Sequence, residues 1–202
     1  MTVEDAQGAP ATIPFWFGEA PGRTIELCEE LSEVRRNIET SLKTETAKAI
    51  SLRLSDDLKM SEYAADQAVN YIASQVAATG TVPTLDTIIF ERFFDESGGM
   101  QLVVHSPYGS RVNRAWGLAM RKRFCRSFNF ELQAAADENG FILSLGPQQS
   151  FPLEDMFTLV PSQVAKSTIE QALLAVPLFQ VRWRWNVTRA LAVLRSNSGK
   201  RV

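Results

Sequence analysis

Residues 86–106 read DTIIFERFFDESGGMQLVVHS, and residues 129–146 read NFELQAAADENGFILSLG; these two stretches decide the fold. Each holds two short runs that are apolar and rich in β-branched, aromatic or small residues, as strands in hairpins are. Ser97-Gly98-Gly99 separates the first two runs, and Asp137-Glu138-Asn139-Gly140 separates the second two. Asn-Gly at a bend is a favoured hairpin signal because both residues tolerate positive φ. The sequence therefore predicts two β-hairpins.

A helix is expected between the hairpins, from about Ser110 to Ser127. One of its faces is an apolar stripe with a four-residue step, formed by Val112, Trp116, Met120 and Phe124. The order strand, strand, helix, strand, strand is most simply buried as one four-stranded sheet with the helix across it. The predicted fold class is α+β, with a two-hairpin (ββαββ) sheet and flanking helices.

Helices are predicted on both sides of this unit. Thr24 is suited to cap a helix over residues 25–42, because its hydroxyl accepts a bond from the first turn. Later helices are expected at 45–54, from Ser61 to Gly80, and at 154–159, 161–176 and 181–195. The third helix is expected to bury a stripe formed by Met60, Tyr63, Ala64, Ala68, Tyr71, Ile72 and Val76. The predicted organisation is a flexible tail (1–12), a helical module (13–82), the sheet module (83–150) and a C-terminal helical module packed on the sheet (151–202).

Composition excludes several functional classes. The chain contains two cysteines and one histidine, His105, too few soft ligands for an ordinary zinc site. Cys28 and Cys125 are expected to be buried free thiols. Neither an uninterrupted apolar span nor a basic, apolar leader is present, so no membrane partner is expected and a cytoplasmic location is the default.

Catalytic motifs are missing as well. The sequence contains neither the phosphate-binding loop G-x-x-x-x-G-K-[ST] nor the dinucleotide fingerprint G-x-G-x-x-G. A lone histidine restricts any nucleophile–base scheme to His105, and the adjacent Ser106 should point to the opposite face of its strand. No catalytic residue, metal or cofactor is therefore assigned to this chain.

The charge is unevenly distributed, although the net charge is only −2. Residues 1–100 carry 17 acids and 8 bases, whereas residues 101–202 carry 6 acids and 13 bases. No acid lies between Glu96 and Glu131. A basic half beside an acidic half indicates either a polyanionic partner or an acidic surface that docks elsewhere.

The helix after His105 is the first candidate binding surface. Opposite its apolar stripe it carries four basic residues: Arg111, Arg114, Arg121 and Lys122. One interpretation is a solvated face of a helix that only packs on the sheet. The other is a surface that follows a nucleic-acid backbone, since phosphate contacts supply affinity without sequence choice.

The second candidate lies in the last predicted helix. On a helical projection, one face holds the residues expected in the core: Trp183, Val187, Ala190, Leu191 and Leu194. Trp185 lies on the other face, with Arg182 and Arg189 one turn away on either side. An indole flanked by guanidinium groups can stack on an unpaired base and hold its phosphates. The alternative is that Trp185 packs on a neighbouring domain.

Four longer strings carry a family resemblance: IPFWFGEAPGR (13–23), ASQVAATGTVPT (73–84), FERFFDESGGMQLVVHSPYGSRVNRAWGLAMRKRF (90–124) and PLFQVRWRWNVTRALAVLR (177–195). Together they resemble the DEAD/H-associated region that follows the winged-helix domain in large helicase-related (Lhr-type) superfamily 2 helicases. The resemblance covers nearly all of residues 13–202.

The resemblance implies a parent enzyme that hydrolyses ATP with Mg²⁺ and moves 3′ to 5′ on DNA, with links to DNA repair. Its implied partners are single-stranded DNA or an RNA:DNA hybrid, together with the RecA-like and winged-helix domains of the parent protein. The resemblance implies an accessory, non-motor portion, and no ATPase residue of the family can be placed on this sequence. The alternative is a structural module that binds protein and has no nucleic-acid affinity of its own.

Overall fold

The computed structural model describes residues 21–96, 98–128, 132–146, 151–194 and 196–201. The N-terminal part consists of three helices: α1 (Ile25–Ser41), α2 (Ala47–Leu58) and α3 (Glu62–Thr79). Each begins after a hydroxyl residue whose side chain accepts a bond from the backbone N–H three residues later; these caps are Thr24, Thr46 and Ser61. The predicted caps Thr24 and Ser61 are confirmed, and Gly80 ends α3 in the left-handed region at φ 78°.

The buried face of α3 differs from the predicted stripe. Its buried residues are Ala65, Val69 and Ile72, whereas Tyr63 and Tyr71 are 74% and 66% exposed. The helix is rotated so that alanine and valine meet α1 and α2, and both tyrosines keep their polar ends in water. Val69 and Ile72 pack in a small core with Ile38, Ile50 and Val82. The helix α2 is also four residues longer at its C-terminal end than predicted.

The two predicted hairpins form one antiparallel sheet. Its strands are β1 (Ile89–Phe94), β2 (Met100–His105), β3 (Gln133–Ala136) and β4 (Gly140–Gly146), in the spatial order β1-β2-β4-β3. The helix α4 (Ser110–Phe128) connects the hairpins and contacts β3 and β4. The predicted ββαββ sheet with flanking helices is therefore confirmed.

The main core lies between α4 and one face of the sheet. Alternate residues of β2 and β4 point into it, and Met120 and Phe124 of α4 are fully buried there. Trp116 lies at its edge, with ring centroids 5.4 Å from Phe141. Val112 is 45% exposed, so the first residue of the predicted stripe lies outside the core.

The bend between β3 and β4 uses its glycine in an unexpected way. Neither Asn139 nor Gly140 adopts positive φ. A Cβ on Gly140 would lie 2.3 Å from the carbonyl oxygen of Val104 on β2. Glycine is needed here because the backbones of β2 and β4 approach closely, not because the turn is left-handed.

The C-terminal part is helical, as predicted, but its last helix is shifted. A short 3-10 helix (Leu153–Thr158) precedes α5 (Ser162–Leu174) and α6 (Pro177–Arg189), and a small hairpin joins β5 (Ser196–Asn197) to β6 (Lys200–Arg201). Pro177, the first residue of α6, is suited to begin the helix. Proline has no backbone N–H, and the N–H groups of the first turn have no partner within the helix in any case. Met156 joins the main core, α5 packs against α4, and α6 contacts α5.

The core face predicted for the last helix (181–195) is wrong, and α6 ends at Arg189, before the last three residues of that face. Trp183, Leu191 and Leu194 are 60%, 91% and 68% exposed, Ala190 is exposed, and Val187 is half-buried. The helix has no fully buried residue, because it contacts the rest of the described chain mainly through α5. No helix in the described ranges is long and apolar enough to cross a membrane.

Candidate nucleic-acid interface

The basic face of α4 divides into an exposed start and a half-buried end. Arg111 and Arg114 are exposed in the first two turns, whereas Arg121 and Lys122 are half-buried. Arg121 donates through Nε to the carbonyl oxygen of Leu132 at 2.9 Å, which ties the helix to the approach of β3. The four predicted residues are thus on one helix but do not form a uniformly exposed surface.

On α6, the structure brings Arg182 and Trp185 together. The guanidinium carbon of Arg182 lies 5.6 Å from the centroid of the indole, within the range of a cation–π contact. Trp185 is half-buried, and Arg189 is exposed one turn further along. The structure thus pairs the indole with one of the two predicted guanidinium groups, and Arg182 partly covers one face of the ring.

Sequence reasoning missed the second indole of α6. Trp183, expected in the core, is exposed and stacked on Phe179, with ring centroids 6.2 Å apart and planes at 20°. A signal for this surface is present in the sequence, since no acidic residue follows Glu170. α6 accordingly presents two aromatic groups among the exposed bases Arg182, Arg184 and Arg189.

The two predicted groups lie on different packed elements. α4 packs against α5, and α5 in turn contacts α6. Each group therefore lies along its own helix, and α5 is in contact with both helices.

A third basic cluster was not foreseen. Arg23, just before α1, donates through Nη1 to Oδ1 of Asn139 at 3.1 Å, and Arg35 on α1 donates through Nη2 to the same oxygen at 3.1 Å. Asn139 lies more than 100 residues away, in the bend between β3 and β4. No local pattern in the sequence indicates this contact, although Arg23 ends one of the strings that carry the family resemblance.

The groups considered for catalysis do not assemble into a reactive set. Nε2 of His105 lies 2.8 Å from Oε2 of Glu91 on the neighbouring strand. Ser106 is fully buried, and its hydroxyl has no hydrogen-bond partner among the described residues. Cys28 is buried and Cys125 is half-buried, less than expected; both are free thiols. Within the described ranges, no group of three or more potential metal ligands occurs.

Comparison with known proteins places this fold in a class associated with helicase motors. Residues 82–202 match the family described as DEAD/H associated. The chain belongs to this family and corresponds to a region of Lhr-type helicases.

Two relatives and one solved structure illustrate the match. The chain is 31% identical to the Lhr helicase/probable uracil glycosylase of Mycolicibacterium smegmatis, over 100% of this chain and 13% of the relative. It is 22% identical to the ATP-dependent helicase Lhr-Core of Sulfolobus acidocaldarius, over 99% of this chain and 23% of the relative. The solved structure of Mycobacterium smegmatis helicase Lhr bound to ssDNA and AMP-PNP is 29% identical, with a TM-score of 0.75 over 97% of this chain and 24% of that chain. The chain thus spans between one eighth and one quarter of the length of these relatives.

Proposed function

We propose that this chain is the accessory domain of an ATP-dependent 3′–5′ DNA helicase and that it contacts single-stranded DNA during unwinding in DNA repair. The observation that carries the proposal is the Arg182–Trp185 pair on a helix without acids. It is supported by the solved relative, a helicase bound to ssDNA. In this proposal the RecA-like domains of the parent protein bind ATP and Mg²⁺, and the chain adjoins them and the winged-helix domain. RNA:DNA hybrids are a further proposed substrate.

The chemistry of the pair suits a strand that slides. A guanidinium held over an indole is already partly ordered, so less side-chain entropy is lost when it meets a phosphate. The uncovered part of the indole can stack on an unpaired base, and stacking tolerates every base because each has a π-face. Exposed Arg189 adds a contact that depends on salt and not on sequence. Such contacts retain a strand without fixing its register.

The test is fluorescence anisotropy of a labelled oligodeoxythymidylate at two salt concentrations. The variant Arg182→Ala/Trp185→Ala/Arg189→Ala should bind more weakly and show a shallower salt dependence than the parent chain. The exposed lysines Lys43 and Lys59, changed to glutamine, provide a control that removes two positive charges from the N-terminal helices. If the triple variant and this control bind equally well, the assignment to α6 is wrong.

A second function is favoured by a different observation, made on α6 and on the segment that follows it. Trp183, Leu191 and Leu194 expose large apolar surfaces, as a protein-docking face would. In this alternative, α6 packs on another domain of the parent helicase and makes no contact with DNA. It predicts no binding of single strands by the isolated chain, together with protection of Trp183 from fluorescence quenchers once the rest of the parent protein is added.

A further inference from the structure

Two guanidinium groups converge on one neutral oxygen at the junction between the N-terminal helices and the sheet. Arg23 and Arg35 each donate to Oδ1 of Asn139 at 3.1 Å. Arg35 also donates to the carbonyl oxygen of Pro83 at 3.4 Å. Among the described residues, neither guanidinium forms an ion pair with a carboxylate, so both positive charges share neutral acceptors.

The environment makes the charge of Arg35 unfavourable as it stands. Burial lowers the pKa of Arg35; Tyr71 raises it, the neighbouring charge of Arg23 lowers it and Cys28 raises it, with a net lowering. A partly desolvated cation beside a second cation gains more from an anionic acceptor than from an amide oxygen, because charge-assisted bonds are about twice as strong as neutral ones. The arrangement is therefore predisposed to take an anion.

The nearby carboxylate does not fill this role. Glu138 precedes Asn139, but its oxygens accept from the backbone N–H and hydroxyl of Ser110 and from the backbone N–H of Arg23. It neutralises the start of α4, and the charge of Arg23 also lowers the pKa of this carboxyl. The guanidinium ends of Arg23 and Arg35 are nevertheless directed at Asn139. The Asn139 side chain is exposed, so a ligand can reach this point from solvent.

The cluster is continuous with the exposed start of the α4 basic face. A Cβ placed on Gly22 would lie 3.9 Å from Cγ of Arg111, which puts the Arg111 side chain beside the segment that leads into Arg23. Arg114 follows Arg111 one turn later. Arginines thus continue from the junction into the first two turns of α4.

We propose that Arg23 and Arg35, with Arg111 beside them, form a phosphodiester-binding site for the backbone of a single-stranded nucleic acid, in which the phosphate replaces Asn139 as the acceptor. The site lies on the junction of the N-terminal helices and the sheet, away from α6. It rests on the proposed function, since it adds a second contact for the same strand.

The decisive variant is Asn139→Asp, which changes no volume and places a carboxylate where the two guanidinium groups already converge. The new carboxylate should occupy the position that a phosphate would otherwise take between the two guanidinium groups. We expect unchanged or higher thermal stability and about fivefold to tenfold weaker binding of a labelled oligodeoxythymidylate. The magnitude of the salt slope should fall by about 0.7 for each phosphate that the variant no longer neutralises. Arg23→Gln/Arg111→Gln, which removes two of the cations, should weaken binding in the same way.

The matched control is Gln163→Glu, which adds the same charge at an exposed position on α5. If Asn139→Asp binds DNA as well as Gln163→Glu does, the phosphate site is overturned. The triple variant of α6 tests the proposed function independently. If the triple variant loses affinity for DNA and Asn139→Asp does not, the proposed function stands without the phosphate site. Absence of DNA binding by the unsubstituted chain would overturn both.

Discussion

Glu138, in the bend between β3 and β4, closes the N-terminus of α4 through Ser110. Its Oε2 accepts from the Ser110 backbone N–H and its Oε1 from the Ser110 hydroxyl, each at 2.9 Å. The N-terminal end of a helix carries unpaired N–H groups and a partial positive charge, both of which favour a carboxylate. Glu138 thus caps α4 from 28 positions further along the chain, whereas α1, α2 and α3 are each capped by the residue just before the helix. The contact also fixes α4 to the sheet.

Glu138→Ala should destabilise the protein by about 1–2 kcal/mol, the usual range for loss of a helix cap. Burial by itself raises the pKa of Glu138, but the hydrogen bonds from Ser110 and from the Arg23 backbone, together with the charge of Arg23, outweigh it, so the pKa is lower in the folded state. The contribution of the Glu138 charge to the free energy of unfolding is therefore fully present above the ordinary glutamate pKa. It is lost as the pH falls through the lowered pKa of the folded state.

Urea denaturation of Glu138→Ala and the unsubstituted chain, at pH 7 and again below pH 4, measures this difference. The gap in unfolding free energy between the two proteins should narrow at acid pH. Glu154, exposed in the 3-10 helix, provides a control as Glu154→Ala. An equal gap at both pH values would show that the Glu138 charge plays no part in capping.

Gly140→Ala should be more damaging than its small size suggests. The new methyl group would meet the backbone oxygen of Val104 at 2.3 Å, so β2 and β4, the two inner strands, would have to separate where Gly140 pairs with His105. We expect a loss of about 3 kcal/mol or more, at the upper end of overpacking effects because backbone cannot move aside as a side chain can. Gly117→Ala, which would meet the Phe141 ring at 3.3 Å, should be milder. Thermal unfolding monitored by circular dichroism distinguishes the two.

The sheet could be predicted from the sequence because its signals are local. Each hairpin has apolar runs on both sides of a glycine-containing turn, and α4 has its stripe between them. Which faces of the flanking helices are buried could not be predicted. A periodic pattern shows that apolar residues share one face of a helix, but it does not show whether another element packs on that face. Tyr71 and Trp183 have the spacing of core residues, yet both are exposed. The contact of Arg23 with Asn139 joins residues 116 positions apart, so it exists only after folding.

The two tryptophans of α6 should differ in their effect on stability. Trp183 is 60% exposed, so Trp183→Ala should change the unfolding free energy by about 0.5 kcal/mol or less. Trp185 is half-buried and holds Arg182 over its ring, so Trp185→Ala should cost about 1–2 kcal/mol. Chemical denaturation of both variants checks the order. The reverse order would mean that Trp183 contributes more to folding than its exposure indicates.

Asn113 offers a sharp test of how α4 is attached to the sheet. It is fully buried, and its Nδ2 donates to the carbonyl oxygens of Ser106 at 2.7 Å and Asp137 at 3.0 Å. Asn113→Ala should cost about 2–4 kcal/mol, since it removes two hydrogen bonds and leaves a small cavity. Asn113→Asp keeps the shape but directs a carboxylate at two carbonyl oxygens, which should raise the pKa of the new acid.

The two substitutions should therefore differ in their response to pH. The deficit of Asn113→Asp relative to the unsubstituted chain should be largest at pH 7, where the carboxylate is charged, and should shrink at pH 5 as the acid takes up a proton and can donate to one carbonyl. The deficit of Asn113→Ala should be the same at both pH values, since alanine has no group to titrate. Urea denaturation of the three proteins at each pH measures both responses. A pH-independent deficit for Asn113→Asp would mean that the side chain at position 113 does not face these carbonyl oxygens in solution.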